Sequence, residues 1–282
     1  SIDEVKVKED LNKYKLVILP DCACMDGETA AALTAFAEDG GTLLSTFDTG
    51  FYHADGSYAE APKIAAVQGI SEVAGVVSAE MLGMTYQRPG DSPVFKGINL
   101  TQMPFPRLSM RCDFTKDAKT LSTALEPMKS VYTAQPESGY PGIVEHRYGR
   151  GKSVFIAGAL GLAYAERALP EYAKIVENIA KEAAKPMFET DAPRSVEAVL
   201  RTQKQKGRYL LHIVNLTGEM IRPMTRIIPL ENIKMTLKIT GVKSAKTLRG
   251  GKLKDLEIGE KRVSFTLSEL SEYEVIVFEL KK

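Results

Sequence analysis

The sequence predicts a three-layer α/β domain over residues 1–187, followed by a small β-sandwich over residues 188–282. Three observations carry that prediction. Residues 15–47 read as strand, helix and strand in direct succession. Residues 141–184 read as a strand hairpin followed by an amphipathic helix. From Phe188 onward helical spacing disappears and short alternating strands take over.

Lys15 to Leu19 is an apolar run stopped by Pro20. Gly27 to Asp39 places Ala31, Leu33, Phe36 and Ala37 at helical spacing, and Gly40-Gly41 ends the helix. Thr42 to Phe47 is a second apolar run. Two buried strands joined by a helix imply a parallel pair with a right-handed crossover. Ser1 to Lys8 offers at most one short strand, Ile2 to Val7. The stretch DTGFYHADGSYAEAP is a loop turning at Asp55-Gly56. A helix is expected from Pro62 to Val67, then a compact insertion up to Gly90. Asp91 to Leu108, with Pro93, Pro104 and Pro106, reads as irregular, and Phe105 between two prolines is an expected exposed contact.

Arg107 to Arg111 and Lys119 to Leu125 read as strands. Ile143, Val144, His146 and Tyr148 lead into the turn Gly149 to Gly151, and Ser153 to Ala157 is a buried-type run, so the pair is a hairpin feeding the main sheet. Tyr172 to Ala184 carries Ile175, Val176, Ile179 and Ala183 on one helical face, and Lys185-Pro186 ends it. Six strands are expected in the tail: Val196 to Leu200, Tyr209 to Val214, Met235 to Ile239, Ala245 to Leu248, Val263 to Leu267 and Val275 to Leu280. Glycine turns separate them, as in a sandwich.

An apolar share of 44% in 282 residues supports two real cores. With 37 basic against 36 acidic residues, the net charge of +1 gives no reason to expect nucleic acid or a membrane surface as partner. No apolar run approaches the ~20 residues that span a bilayer. Cys22, Cys24 and Cys112 form no disulfide framework, which points to reduced thiols and a cytoplasmic location, with export behind a removed signal as the alternative.

The wording Y-K-L-V-I-L-P, a polar turn, a helix and then G-G-T-L-L-S-T-F resembles the trimerisation domain of family 42 β-galactosidases and related glycosidases. The tail segment R-Y-L-L-H-I-V-N-L-T, Arg208 to Thr217, resembles the small β-domain that follows it. The resemblance implies a flavodoxin or class I glutamine amidotransferase-like fold whose first strand and helix, and before them a catalytic barrel, precede this chain. It also implies homo-oligomerisation. Both catalytic glutamates of the resembled enzymes lie in that barrel, so no catalytic residue carries over.

In open α/β sheets ligands sit beyond the carboxyl ends of the strands. Here those ends carry Cys22, Asp48, Tyr52 and His53, the candidate cleft residues. Cys22 reads either as a reactive thiolate near a helix start or as a small residue packing a turn; the second is preferred, because no base is near in sequence. Asp48, Tyr52 and His53 read either as ligand contacts or as a solvated loop that Asp48 caps. An amidotransferase needs a nucleophilic cysteine at the turn after Thr42 to Phe47, where Phe47-Asp48 stands, and a histidine near Phe155 to Gly158 that is also missing. Gly149-Arg150-Gly151-Lys152 lacks the full phosphate-loop pattern and joins two strands. His146 and His212 alternate with apolar neighbours and read as packed residues. Glu126, Glu137 and Glu145 have no barrel around them. The expectation is therefore a non-catalytic oligomerisation and accessory part of a glycosidase, with no cofactor and no metal. The alternatives are a stand-alone amidotransferase-like hydrolase using the rim, or a carbohydrate-binding module in the aromatic-poor tail.

Overall fold

The computed structural model describes residues 11–79, 85–130, 132–219 and 223–281. The strand expected over Ile2 to Val7 lies outside them. The chain divides into two compact units, Ser1–Lys185 and Pro186–Lys282.

In the first unit the strands are β1 (Leu16–Leu19), β2 (Thr42–Thr46), β3 (Ile70–Ser78), β4 (Thr85–Pro89), β5 (Met103–Phe105), β6 (Leu108–Phe114), β7 (Lys119–Leu125), β8 (Glu137–Tyr148) and β9 (Gly151–Ile156). The helices are α1 (Gly27–Glu38), α2 (Ala65–Gln68), α3 (Leu160–Arg167) and α4 (Pro170–Ala183). Seven strands form one sheet in the order β1-β2-β9-β8-β7-β4-β5, and β3 pairs with β6 as a separate ribbon. Only β1, β2 and β9 run parallel, with Leu16 opposite Thr42 and Thr42 opposite Lys152. Every other pairing in that sheet is antiparallel.

The parallel core follows from the sequence. β2 is buried at all five positions, as a strand covered on both faces must be. Helix α1 starts where the Asp26 carboxylate accepts the Thr29 N–H at 2.7 Å, a side-chain cap for one of the orphan amides. It stops at Gly40, whose φ of +107° suits glycine, with Gly41 N–H donating back to Phe36 O. Leu44, Val154 and Ile156 turn one sheet face towards Tyr172, Ile175 and Ile179 of α4. On the other face Leu43 packs with Leu33, Phe36 and Ala37 of α1 and with Val67 of α2. Beside it Phe155 joins Phe47, Phe51 and residues Ile70, Met110 and Cys112 of the ribbon.

Strands outnumber helices beyond what a doubly wound reading expects. The insertion expected up to Gly90 forms β3 and β4, and the stretch expected to be irregular contains β5. Residues 70–78 alternate in exposure with period two, and Pro104 stands on an outermost strand, where a missing N–H leaves no ladder bond unmade. Phe105 is not an exposed contact: it is 4% exposed and packs against Met110 and Phe155. Strand alternation turns it inward, which overrides its proline neighbours. The helix expected from Pro62 is the single turn α2, and α3 was not foreseen.

The second unit holds β10 (Phe188–Thr190), β11 (Val196–Gln203), β12 (Arg208–Asn215), β13 (Leu230–Leu237), β14 (Val242–Thr247), β15 (Leu253–Ile258), β16 (Val263–Leu270) and β17 (Tyr273–Leu280). They form two four-stranded sheets, β10-β13-β16-β15 and β11-β12-β17-β14. Leu211, Ile213, Ile276 and Phe278 of one sheet share a core with Met235, Leu237, Phe265 and Leu267 of the other. Strands β10 and β15 escape a periodicity reading: the first is three residues long, and the second is exposed at five of its six positions.

Candidate functional site

The rim at the ends of β1 and β2 is built by two turns that leave those strands in left-handed backbone geometry. Asp21 and Phe47 each have φ +48°, a conformation that costs a non-glycine residue about 1 kcal/mol or more unless its surroundings hold it. At Asp21 the holding contacts are visible. Thr46 Oγ1 donates to the Asp21 carboxylate at 2.5 Å and accepts the Asp21 N–H at 3.0 Å. Thr49, fully buried, accepts the Cys22 N–H at 3.2 Å, and its hydroxyl lies 2.7 Å from Thr46 O and 3.0 Å from Leu19 O. Backbone bonds then lace the two turns together: Gly50 N–H to Cys22 O, Tyr52 N–H to Ala23 O and Met25 N–H to Tyr52 O.

The structure therefore brings Cys22, Asp48 and Tyr52 to one rim, where the neighbouring backbone is used for structure. Tyr52 packs edge-on against Tyr58, with ring centroids 5.5 Å apart. His53 donates its backbone N–H to Ser57 O across the Asp55-Gly56 turn, and no hydrogen bond joins its ring to Cys22 or Asp48 among the described residues. Asp21, Thr46, Thr49 and Gln68 belong to the same place and were missed by sequence reasoning. The readable signal was T-F-D-T at the end of β2, where two threonines flank the turn.

The electrostatics oppose nucleophilic chemistry. Burial pushes the Cys22 thiol above its ordinary pKa, and the carboxylates of Asp21 and Asp48 push it further. Burial, then Asp21, raises Asp48 as well. An activated thiolate needs a nearby cation or base, and here the neighbouring charges are negative. Two buried acceptors, Asp48 Oδ1 and Gln68 Oε1, have no hydrogen-bond partner among the described residues. At the turn after β2, Phe47 is 9% exposed within an aromatic cluster. The end of β9 is closed by the ribbon: Met110 N–H donates to Ala157 O, Ala159 N–H to Leu108 O, and a Cβ on Gly158 would stand 2.6 Å from Pro106.

The other candidates resolve into structure. Gly149 has φ +57°, and a Cβ there would meet Glu38 Cα at 2.6 Å; one on Gly151 would meet Gly41 O at 2.2 Å. The G-R-G turn is glycine because it lies against the end of α1, with Arg150 N–H donating to Glu38 O. His146 is 6% exposed, its Nδ1 3.0 Å from Val67 O and its Nε2 3.3 Å from Asp117. Glu126, Glu137 and Glu145 pair separately with Arg111, Arg88 and Lys152, each at 2.7 Å. Among the described residues no group of three or more His, Cys, Asp or Glu is placed to hold a metal. No described helix is long and apolar enough to cross a membrane.

The first unit is thus a parallel three-stranded core extended by antiparallel strands, with threonine hydroxyls and backbone bonds lacing the rim. Residues 1–184 match the family model of the β-galactosidase trimerisation domain, and the chain belongs to that family. This domain is a non-catalytic part of those β-galactosidases. A β-galactosidase named BbgII from Bifidobacterium bifidum is 26% identical over 176 residues, which cover 60% of this chain and 23% of that protein. Among solved structures, α-L-fucosidase isoenzyme 2 from Paenibacillus thiaminolyticus superposes with a TM-score of 0.71 at 20% identity, over 97% of this chain and 42% of its own. The β-galactosidase from Rahnella sp. R3 gives 0.61 at 16%, over 95% and 33%. The chain thus spans less than half the length of each of these proteins, and at such identities the two structures speak for fold alone.

Proposed function

We propose that this chain is the oligomerisation and accessory part of a larger glycoside hydrolase, that its homo-oligomer is a trimer, and that a barrel elsewhere in the parent protein carries the chemistry. The family match over residues 1–184 is the observation that carries this reading. Limited coverage of the relatives supports it, because most of each relative lies outside the matched region. The domain division at 187/188 and a flavodoxin or amidotransferase-like scaffold for the first domain belong to the same reading. The two compact units meeting at Lys185 and Pro186 support the division, and the parallel β1-β2-β9 core with helices on both its faces supports the scaffold. A cytoplasmic location fits three free cysteines.

The test is sedimentation of the full chain over about 1–50 µM, with hydrolysis of p-nitrophenyl β-galactoside followed in parallel. A trimer that leaves the galactoside intact is the expected result. A monomer throughout that range removes the oligomerisation reading, and turnover abolished by Cys22→Ser would restore the hydrolase reading at the rim.

A further inference from the structure

We infer that the outward side of the β11-β12-β17-β14 sheet is a self-complementary docking face, and that its occupant is a second copy of this chain related by a two-fold axis.

The two sheets of the sandwich differ on their outward sides. Successive residues of a strand point to opposite faces, and a sheet side turned to water normally carries polar residues. In β13 and β16 the positions between the core residues follow that rule, with Lys234 opposite Thr266 and Thr236 opposite Ser264. In the other sheet the core takes Leu211, Ile213, Ile276 and Phe278, which leaves Leu210, Val214, Val275 and Val277 facing away from it. The ladder register sorts that side into rows. Val199 stands opposite His212, and His212 opposite Val275. Leu248, whose N–H donates to Val275 O, ends this row. Arg201, Leu210, Val277 and Lys246 form the row on one side of it, and Glu197, Val214 and Tyr273 the row on the other. Val275 and Val277 make the floor, at 7% and 1% exposure, while Val199 and Leu248 stand out at 45% and 56%. Tyr273 stacks on His212, its hydroxyl 2.5 Å from Nδ1. A contiguous aliphatic patch on one side of a sandwich whose other side is lysine, serine and threonine marks an interaction surface.

The charges select the occupant. Glu197, Arg201 and Lys246 are exposed, and none has a side-chain hydrogen bond or ion pair with a described residue. Glu197 and Arg201 flank Val199 on β11, an outermost strand. A two-fold axis running across the strands through the Val199 row lays Glu197 of each copy against Arg201 of the other. The same axis sets Val214 on Leu210, Tyr273 on Val277 and the Val199 row on itself, so apolar residues meet apolar ones. Strands of the two copies stay aligned, as in sheets stacked face to face. An axis along the strands would instead oppose Arg201 to Lys246, a like-charge contact. Three rows across four strands span roughly 20 by 20 Å, or about 400 Å² per copy. Two such faces fall below the usual size of a stable interface, so the association is weak, with a dissociation constant on the order of 100 µM. This inference does not rest on the trimer reading, because association is counted from whatever species the chain forms when dilute.

The experiment is sedimentation of the full chain from about 5 to about 500 µM. A second reversible step is expected, with the mass moving towards twice its dilute value. Glu197→Arg and Arg201→Glu should each weaken that step at least about tenfold, and the double variant, which swaps the charges, should restore it to within about threefold. Val199→Asp, at an exposed position that faces itself across the axis, should abolish the step and leave the dilute species unchanged. A constant mass over the whole range would overturn the proposal and leave the face to another partner. A second step that Glu197→Arg and Val199→Asp both leave intact, or a double variant no better than either single one, would overturn it equally. A dilute monomer would end the trimer reading alone, since the second step is read at higher concentration.

Discussion

Replacing Glu274 by alanine should remove the main tie of the β14–β15 turn. Its Oε1 accepts three N–H groups, from Leu248, Arg249 and Val275, and its Oε2 accepts the fourth, from Gly251. A hydrogen bond to a charged group contributes about 1.5–3 kcal/mol net. Three of the four donors lie on a surface turn, where water can replace the carboxylate once the turn loosens, so the lower end of that range applies to them and only part of their sum is lost. The expected cost of Glu274→Ala is about 3–4 kcal/mol, and that of Glu274→Gln about 2–3 kcal/mol, because an amide turned towards Gly251 N–H opposes donor to donor. Two compact units make a single unfolding curve ambiguous, so the measurement is amide hydrogen exchange residue by residue, backed by urea unfolding. Exchange should accelerate at Leu248, Arg249 and Gly251 and across the second unit, with the first unit unchanged. A loss below about 1 kcal/mol with unchanged protection at those three amides would refute the reasoning.

Three further outcomes follow from the first unit. Gly151→Ala should cost at least about 3 kcal/mol in urea unfolding, since its Cβ meets backbone oxygens of Gly41 and Ala37 that cannot move without displacing α1; a change within about 0.5 kcal/mol would contradict the packing account of the G-R-G turn. Asp48→Asn should stabilise the chain at pH 7, read as a higher urea midpoint, because the folded carboxyl pKa is raised above its unfolded value; partial solvent exposure keeps the gain small. The stability contributed by the protonated acid is present below the unfolded pKa and is lost as pH rises through the folded one, so wild type and variant should converge towards pH 3; equal stabilities at pH 7 would count against the burial of Asp48. Iodoacetamide at pH 7.5 should modify exposed Cys24 before Cys22, whose thiol is pushed up, and Asp48→Asn should quicken Cys22 by removing one of the opposing charges. Faster labelling at Cys22 than at Cys24 in the wild-type chain would show an activated thiolate and revive the hydrolase alternative.

Local chemistry carried a good share of this protein. The β1–α1–β2 unit, the β8–β9 hairpin and α4 were legible because each announces itself within some 30 residues: an apolar run, a glycine stop at Gly40-Gly41, a helical stripe through Ile175 and Ile179. The absence of a nucleophile after β2 was equally legible, since Phe47 and Asp48 stand there whatever the fold. Tertiary structure alone decided what non-local pairing creates. Strands β3, β4 and β5 exist because partners further along the chain complete their ladders, although their own patterns are broken by proline or glycine. The rim was half visible: its strand-end residues follow from topology, but the threonine clasp on Asp21 and the pairing of Cys22 with Thr49 join positions 25 and 27 residues apart. The Glu274 clamp of the second unit, and Asn215, whose amide holds Leu270 O and Ser271 O, look in the sequence like ordinary polar residues of strands. Only folding buries them and gives them backbone partners, because a buried polar group must be satisfied by whatever the fold brings within hydrogen-bond reach.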